Sequence, residues 1–319
     1  MSASHTPAVD VLVVGDANPD LLLTGDTVPR FGQAEQLLDA AELVLGGSAA
    51  IVACGLARLG MRTALVSVVG RDGFGDVVLH RLEERGVDVS AIVERGDVPT
   101  GLSVVLAQPG DRAILTLPGT IPLLDAATVR AAVERLRPRH VHIASYFLQP
   151  SLAAELPSLL GWLGDRAVTT SLDTNWDPAE RWDGLSEVLP SLTVFLPNDE
   201  EARAIAGSIA DRPVDSLDDA GAILSALGCR VVVKAGAEGG IAYEDAARTA
   251  GAPGLVLDVV DTTGAGDSFD AGYLAAMLSG VGTEEGRLRW AATAGSLSVR
   301  GIGGTAEQAT EAELSTALV

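Results

Sequence analysis

Short apolar runs recur along this chain with helix-compatible stretches between them, and that alternation constrains the fold more than any other feature of the sequence. Val9 to Val14 ends at Gly15, and Ser48 to Leu59 reads as an Ala-rich helix closed by Gly60. Thr63 to Val69 is strand-like, and Asp76 to Arg85 and Thr128 to Leu136 read as helices. His140 to Ile143, Val168 to Leu172, Val194 to Leu196 and Val231 to Lys234 continue the strand series. Strands without a polar face, separated by helices, predict an α/β chain whose mostly parallel sheet is covered on both sides. The 319 residues suit one large α/β domain with an appendage, or two smaller units.

Two stretches break the rhythm. Leu102 to Leu117 has two β-prone runs around Gln108-Pro109-Gly110-Asp111, which predicts an antiparallel hairpin. Leu21 to Leu45 holds short apolar runs but no long helical pattern. Together they predict a small accessory sheet projecting from the main one. No internal repeat, low-complexity segment or long charge run interrupts the chain.

Composition narrows the partners. The net charge of −21 makes attraction to nucleic acid or anionic lipid unfavourable, so an anionic ligand must be held locally. Mean hydropathy is +0.29, yet Gly, Arg or Asp breaks every apolar run before the roughly 18 residues a membrane span needs. No membrane association is expected. The basic residues are 21 Arg and one Lys, Lys234, a compositional bias. Cys54 and Cys229 are too few for a disulfide framework or zinc site, and Met1 to Asp10 lacks a secretory signal pattern; a reducing cytoplasm is expected.

The strongest chemical signal is Val259 to Met277, VVDTTGAGDSFDAGYLAAM. A β-prone run leads through Asp261-Thr262-Thr263 into Gly264-Ala265-Gly266-Asp267 and then a helical segment. Small residues there let backbone N–H groups converge, and a helix N-terminus favours an anion, so Gly264, Ala265 and Gly266 form a candidate phosphate cradle. Asp267, in the first turn, is placed to orient an attacking hydroxyl and take its proton. Asp is also a preferred helix cap, which leaves a purely structural role open. No G-x-x-x-x-G-K-[ST] occurs, and the Gly70 to Gly75 loop lacks the dinucleotide G-x-G-x-x-G order. His140 and His142 share a strand face without a third ligand nearby, so metal binding by them is not expected. The four Trp residues suit packing, with Trp176 able to face a cleft.

Four pieces in order resemble the ribokinase-like carbohydrate kinases, the phosphofructokinase-B family: Gly15 to Asp20, Gly46 to Gly60, Asn198 to Glu201 and Asp261 to Asp270. The resemblance runs from about Asp10 to Thr305. It implies a single Rossmann-like kinase domain over residues 1–319, with a small β-sheet lid from segments near 17–45 and 99–118. It further implies phosphorylation of a hydroxymethyl group by ATP, with Asp267 as base and the Gly264 to Gly266 amides as anion hole.

By the same resemblance, Asn18 and Asp20 match a sugar-binding pair, Gly46 and Gly47 a hinge beside the sugar, and Asn198 and Glu201 an N-x-x-E motif placing magnesium and phosphate through water. Asn198 with Glu201 three residues on also reads as a capping-box variant. Lys234, Gly236 and Gly239 match the strand and loop passing the nucleotide. Asp261 and Thr263 border a monovalent-cation site, commonly potassium, and Thr305 lies in the loop near cation and adenine. Relatives often pair through their lids, which makes a homodimer an expectation.

The departures affect the substrate. Ile51 stands where many family sugar kinases have a substrate-binding Asn, and Ser48 where ribokinase has Lys. An apolar branched side chain cannot replace an amide's donor and acceptor. Ribose is therefore not assumed, and a nucleoside or a sugar acid gains weight. The alternatives are a nucleoside kinase of the same fold, a binding protein or sensor without turnover, and, least favoured, a nicotinamide dehydrogenase.

Overall fold

The computed structural model describes residues 8–33, 35–108 and 111–318. Its main sheet has eight strands: β1 (Val11–Val14), β4 (Thr63–Val66), β9 (His140–Ala144), β10 (Thr169–Asp173), β11 (Val194–Phe195), β12 (Arg230–Lys234), β13 (Gly240–Glu244) and β14 (Ala247–Ala252). They lie in the order β14-β13-β12-β11-β10-β9-β1-β4. All neighbours are parallel except β12 with β13 and β13 with β14. The expected α/β architecture, a mostly parallel sheet between helices, is the observed one.

Helices α1 (Ser48–Arg58), α2 (Gly73–Glu84), α8 (Ala265–Leu278), α9 (Glu284–Ser298) and α10 (Glu311–Ala317) contribute to the core on one face of the sheet. Helices α3 (Ala126–Leu136), α4 (Pro150–Gly164), α5 (Leu185–Val188), α6 (Asp199–Ala210) and α7 (Leu217–Ser225) contribute to the other. The all-apolar strands follow from this: β1 and β4 are buried throughout because both faces are covered. Polar residues begin the surface helices, as where the Asp72 side chain accepts from Phe74 N and Gly75 N and the Asp125 side chain from Thr128 N. Helices α1 and α8 are the two buried ones, packed against each other. Gln308 pins them: Nε2 donates to the Ile51 carbonyl at 2.9 Å and to Ser268 Oγ at 3.3 Å.

The two rhythm-breaking stretches form a separate sheet of β2 (Asn18–Gly25), β3 (Leu38–Gly46), β7 (Leu102–Gln108) and β8 (Asp111–Leu117), ordered β3-β2-β7-β8. The hairpin strands pair antiparallel from Leu102 with Leu117 onward, and Pro109 and Gly110 of the expected turn lie outside the described residues. Two local expectations need correction. Thr63 to Val69 is not one strand but two: after Val66 the chain leaves β4, and β5 (Val68–Gly70) pairs with β6 (Val93–Arg95) in a third sheet, begun where Val93 N donates to the Ser67 carbonyl. The apolar run before Asp261 is not a strand either. Beyond β14 it finds no sheet partner; Val259 and Val260 are exposed, and Val260 N and Asp261 N donate instead to the Val299 carbonyl. Among the described residues no helix is long and apolar enough to cross a membrane.

Candidate active site

Five parallel strands end on one edge of the main sheet, the edge where open α/β sheets bind ligands. Asp16 follows β1, Ser145 follows β9, Asn175 follows β10, Asn198 follows β11, and Lys234 ends β12. Asp16 is buried and accepts from Ser48 N at 3.2 Å and Ala49 N at 3.1 Å, so a carboxylate caps α1 from the loop after β1. Ser48, thus fixed, donates its hydroxyl to Asp267 Oδ1 at 2.5 Å.

Asp267 lies in the first turn of α8 and is 9% exposed. Burial pushes its carboxyl up to about 7, aided by the charge of Asp173 and opposed by the Ser48 hydrogen bond. Gly264 opens the helix at φ 71, a left-handed conformation natural to glycine, and a Cβ there would stand 2.7 Å from Gly304 Cα. No side chain caps the helix. Of the three amides expected in the cradle, that of Ala265 is turned to the Thr262 carbonyl at 3.2 Å, whereas Gly264 and Gly266 line the cavity beside Asp267.

Three cavities meet along this edge. The first, about 600 Å³, lies under the accessory sheet and is lined by Asp16, Asn18, Asp20, Gly47, Ser48 and Asp267 among others. Its remaining wall is largely apolar, with Ile51, Val105, Ile114, Ile121, Leu148 and Trp176. Asn18 Nδ2 donates to Asp20 Oδ1 at 2.9 Å, and burial together with the charge of Asp16 pushes Asp20 up to about 7. Gly46 lies outside the lining but shapes it: a Cβ there would come within 2.1 Å of the Asp20 carboxyl carbon.

The second cavity, about 450 Å³, adjoins the first at Arg112, Asn175, Gly264 and Asp267, and holds Asn198, Glu201 and Lys234. Asn198 and Glu201 form a full capping box on α6, with Asn198 N donating to Glu201 Oε2 at 2.9 Å and Glu201 N to Asn198 Oδ1 at 2.8 Å. Burial and the charge of Asp173 push Glu201 up to about 7. The cap and the cavity lining are one arrangement. Lys234 donates to Asp173 Oδ2 at 2.6 Å and Asp270 Oδ2 at 3.2 Å. Burial opposes its charge, but Asp173, Asp270 and Glu201 hold its pKa above the ordinary value. Burial also holds Asp270 well above the ordinary carboxylate range, while Lys234 overcomes burial and holds Asp173 below it. No sequence motif marks Asp173 or Asp270 as a partner of Lys234, although an unmatched lysine on an apolar strand demands a counter-charge.

The third cavity, about 460 Å³, runs on from the second at Lys234, Gly236, Thr262 and Gly266. It is mainly apolar, lined by Gly239, Leu255, Val259, Ala265, Phe269 and Val299 among others. Thr305 is placed elsewhere: it lines a separate cavity with Leu43, Val44, Arg81 and Arg85, because the 301–306 loop turns back toward β3 and α2. Asp261 Oδ1 accepts the Thr263 N–H and hydroxyl, and Oδ2 accepts Gly303 N–H. His140 and His142 are fully buried on Ser171 and Thr169, and burial pulls them down to about 3 and about 4.

This track of cavities, hinged on a buried aspartate at an uncapped helix, meets its match in a family comparison. Residues 9–311 fit the model of the pfkB family carbohydrate kinases. The chain belongs to this family. As a member of it, this carbohydrate kinase is a phosphotransferase with an alcohol group as acceptor. It is 26% identical to the ribokinase of Bacillus subtilis over 92% of its length and 94% of that protein. It is 31% identical to the ATP-dependent ribose-1-phosphate kinase of Halopiger xanaduensis, over 91% and 92% of the two chains. In fold it matches a putative ribokinase II of E. coli solved with ATP and magnesium, at TM-score 0.81 and 23% identity, covering 97% and 98%.

Proposed function

We propose that this chain transfers the γ-phosphoryl group of ATP to a hydroxyl of a small sugar or sugar-like acceptor, held in the cavity under the accessory sheet. The observation that carries the reading is the position of Asp267, on the boundary of the acceptor cavity and the junction cavity. Asp267 takes the acceptor's proton as its oxygen attacks the γ-phosphorus, and the first turn of α8 receives the negative charge that develops. Asn18 and Asp20 accept and donate to acceptor hydroxyls, with Gly46 and Gly47 allowing close approach and Ser48 orienting the base. The apolar third cavity suits the nucleotide's base, with Lys234, Gly236 and Gly239 beside its phosphates. Accessory-sheet closure excludes water, which limits hydrolysis.

The metal fits through oxygen donors. Asn198 and Glu201 offer oxygens to the junction cavity, but among the described residues no cluster of three or more His, Cys, Asp or Glu could hold a metal outright. Such a set suits magnesium carried on the nucleotide's phosphates with water between it and the protein. Bound there, magnesium supplies positive charge against the phosphates. A monovalent cation, potassium, belongs to the same reading beside Asp261 and Thr263, with the cytoplasm as the compartment.

A second reading is a nucleoside kinase with the same machinery. The apolar wall favours it, since Ile51, Ile114, Leu148 and Trp176 suit a flat base better than a free polyol. An ADP-release screen with ATP, magnesium and potassium, over D-ribose, ribose 1-phosphate, 2-dehydro-3-deoxygluconate and adenosine, tests both. A free sugar hit supports the first, and adenosine alone the second. Turnover undiminished in Asp267→Asn sinks both.

We also propose a homodimer through the accessory sheet. Its face away from the cavity carries the cross-strand row Leu43, Leu21, Val104 and Leu115, with Leu115 60% exposed, and β8 is an open edge.

A further inference from the structure

We propose that Trp176 determines acceptor specificity, as the platform on which the flat face of a ring-shaped acceptor stacks. The inference deepens the acceptor-site reading given above and rests on it. Trp176 lies in the loop that follows β10, and this loop brings Asn175, Trp176 and Pro178 to the acceptor cavity. Trp176 is 46% exposed, whereas Trp182 in the same loop is 7% exposed. Packing therefore accounts for Trp182 and leaves much of Trp176 unused.

The loop is built to hold that indole still. Asp177, next to it, accepts from Ala179 N at 2.9 Å and from Arg181 N and Trp182 N at 2.8 Å each. On the other side, Asn175 Oδ1 accepts from Ser145 N at 3.0 Å. Asn175, Glu180 and Trp182 take left-handed φ angles of 54, 51 and 58. A bulky side chain adopts that conformation at a cost, and only where the surroundings enforce it. At Trp182 the result is a supporting ring: its indole meets Trp176 edge to face, with centroids 5.0 Å apart at 88°, and meets Phe147 at 5.5 Å and 90°. Phe147 meets Tyr146 in the same way, at 5.0 Å and 84°. Four rings thus run from buried Tyr146 to Trp176, and of the four only Trp176 lines the acceptor cavity.

The face of an indole is the negative side of its quadrupole, which the C–H groups of a sugar ring or the plane of a base meet favourably. Ile121 and Leu148 extend the apolar wall, while Asn18, Asp20 and Asp267 supply groups that bind hydroxyls. An acceptor that satisfies both carries hydroxyls and an apolar ring face, as a cyclic sugar or a nucleoside does. An open-chain polyol has the hydroxyls and no such face. The rigid indole loses little freedom when it is covered. Stacking is the same before and during transfer, so it acts on acceptor binding and not on the phosphoryl step.

The test compares wild type, Trp176→Leu and Trp176→Phe on D-ribose, adenosine and ribitol, a polyol without a ring, with melting temperatures checking each fold. The proposal expects the KM of the ring acceptor to rise about tenfold or more in Trp176→Leu, with kcat and the ATP KM within about threefold of wild type. Trp176→Phe recovers most of the loss. Ribitol, as acceptor or competitor, binds wild type about tenfold more weakly than the ring acceptor, and Trp176→Leu removes most of that difference. An acceptor KM unchanged in Trp176→Leu overturns the proposal, as does a phenylalanine variant no better than the leucine one, or ribitol weakened as much as the ring. If none of the three is phosphorylated, tryptophan emission decides. Titration with D-ribose or adenosine must change the emission of wild type and change it far less in Trp176→Phe; no change in wild type, or an equal change in both, overturns the proposal. A ring ligand that passes this emission test on a protein that binds no ATP by calorimetry brings down the phosphotransferase reading alone.

Discussion

The Ser48 hydroxyl donates to Asp267 Oδ1 at 2.5 Å, joining the first turn of α1 to the first turn of α8 across 219 positions of chain. The serine has a second task at its backbone, where its N–H is held by Asp16. One residue therefore ties the loop after β1 to the carboxyl at the boundary of the first two cavities.

That carboxyl is the first residue to test. Asp267→Asn keeps the shape and the helix start but cannot take a proton, so kcat falls about 10²- to 10⁴-fold. ADP binding, measured by calorimetry, stays within a few-fold of wild type.

The pH dependence follows from the same group. With Asp267 near 7, the ionised base accumulates as pH rises, so kcat/KM climbs through about pH 7 and levels above it. The Ser48 bond lowers that pKa. Ser48→Ala moves the limb to higher pH, and rate profiles from pH 5.5 to 9 show whether the loss at neutral pH is recovered on the alkaline side.

Stability runs the opposite way. Asp267 keeps its proton in the folded chain up to about pH 7 but loses it from its ordinary value of 3.8 on unfolding. The folded chain thus holds the extra proton between those limits, and the contribution is full below about pH 4 and lost above about pH 7. Asp267→Asn, neutral at every pH, melts higher than wild type at pH 8, on the order of 5 °C, and the gap narrows as pH falls below about 7 and closes only near pH 4. A gap independent of pH would mean that Asp267 is not held up by burial.

Gly46 is tested by a single methyl group. In Gly46→Ala the added Cβ meets the Asp20 carboxyl head on, so either that carboxyl or the β2–β3 pairing must move. We expect a stability loss of about 1–3 kcal/mol and an acceptor KM raised on the order of tenfold or more, with the ATP KM little changed.

The dimer proposal is open to sedimentation. Leu115→Lys places a charge in the exposed row and should convert a dimer to monomer at micromolar concentration. A wild type that sediments as a monomer at 50 µM, roughly the range in which weak standard-size interfaces still form, removes the idea.

The alternation of apolar runs made the parallel sheet legible because strands covered on both faces have no polar period to hide. The hairpin at Leu102 to Leu117 was legible from its turn, and the placement of Asp267 in the first turn of a helix from the glycines before it. Strand ends were less so: nothing local distinguishes Val259 and Val260, which lack a sheet partner, from residues that have one. Asp173 and Asp270 were hidden for a related reason, since their meaning comes from Lys234, 61 and 36 positions away. The position of Thr305 was not legible, because a loop's direction depends on packing against β3 and α2, which its own Gly-rich sequence does not encode.

Gln308 gives the architecture a temporal side. Its amide holds the Ile51 carbonyl 257 positions upstream, and its own carbonyl takes Arg58 Nε at 2.7 Å. A ribosome making this chain delivers Ile51 first, Asp267 much later, and this clamp after both. Until Asp267 emerges the growing polypeptide holds only part of the cleft, and until Gln308 follows it, α1 and α8 lack the side chain that ties them together.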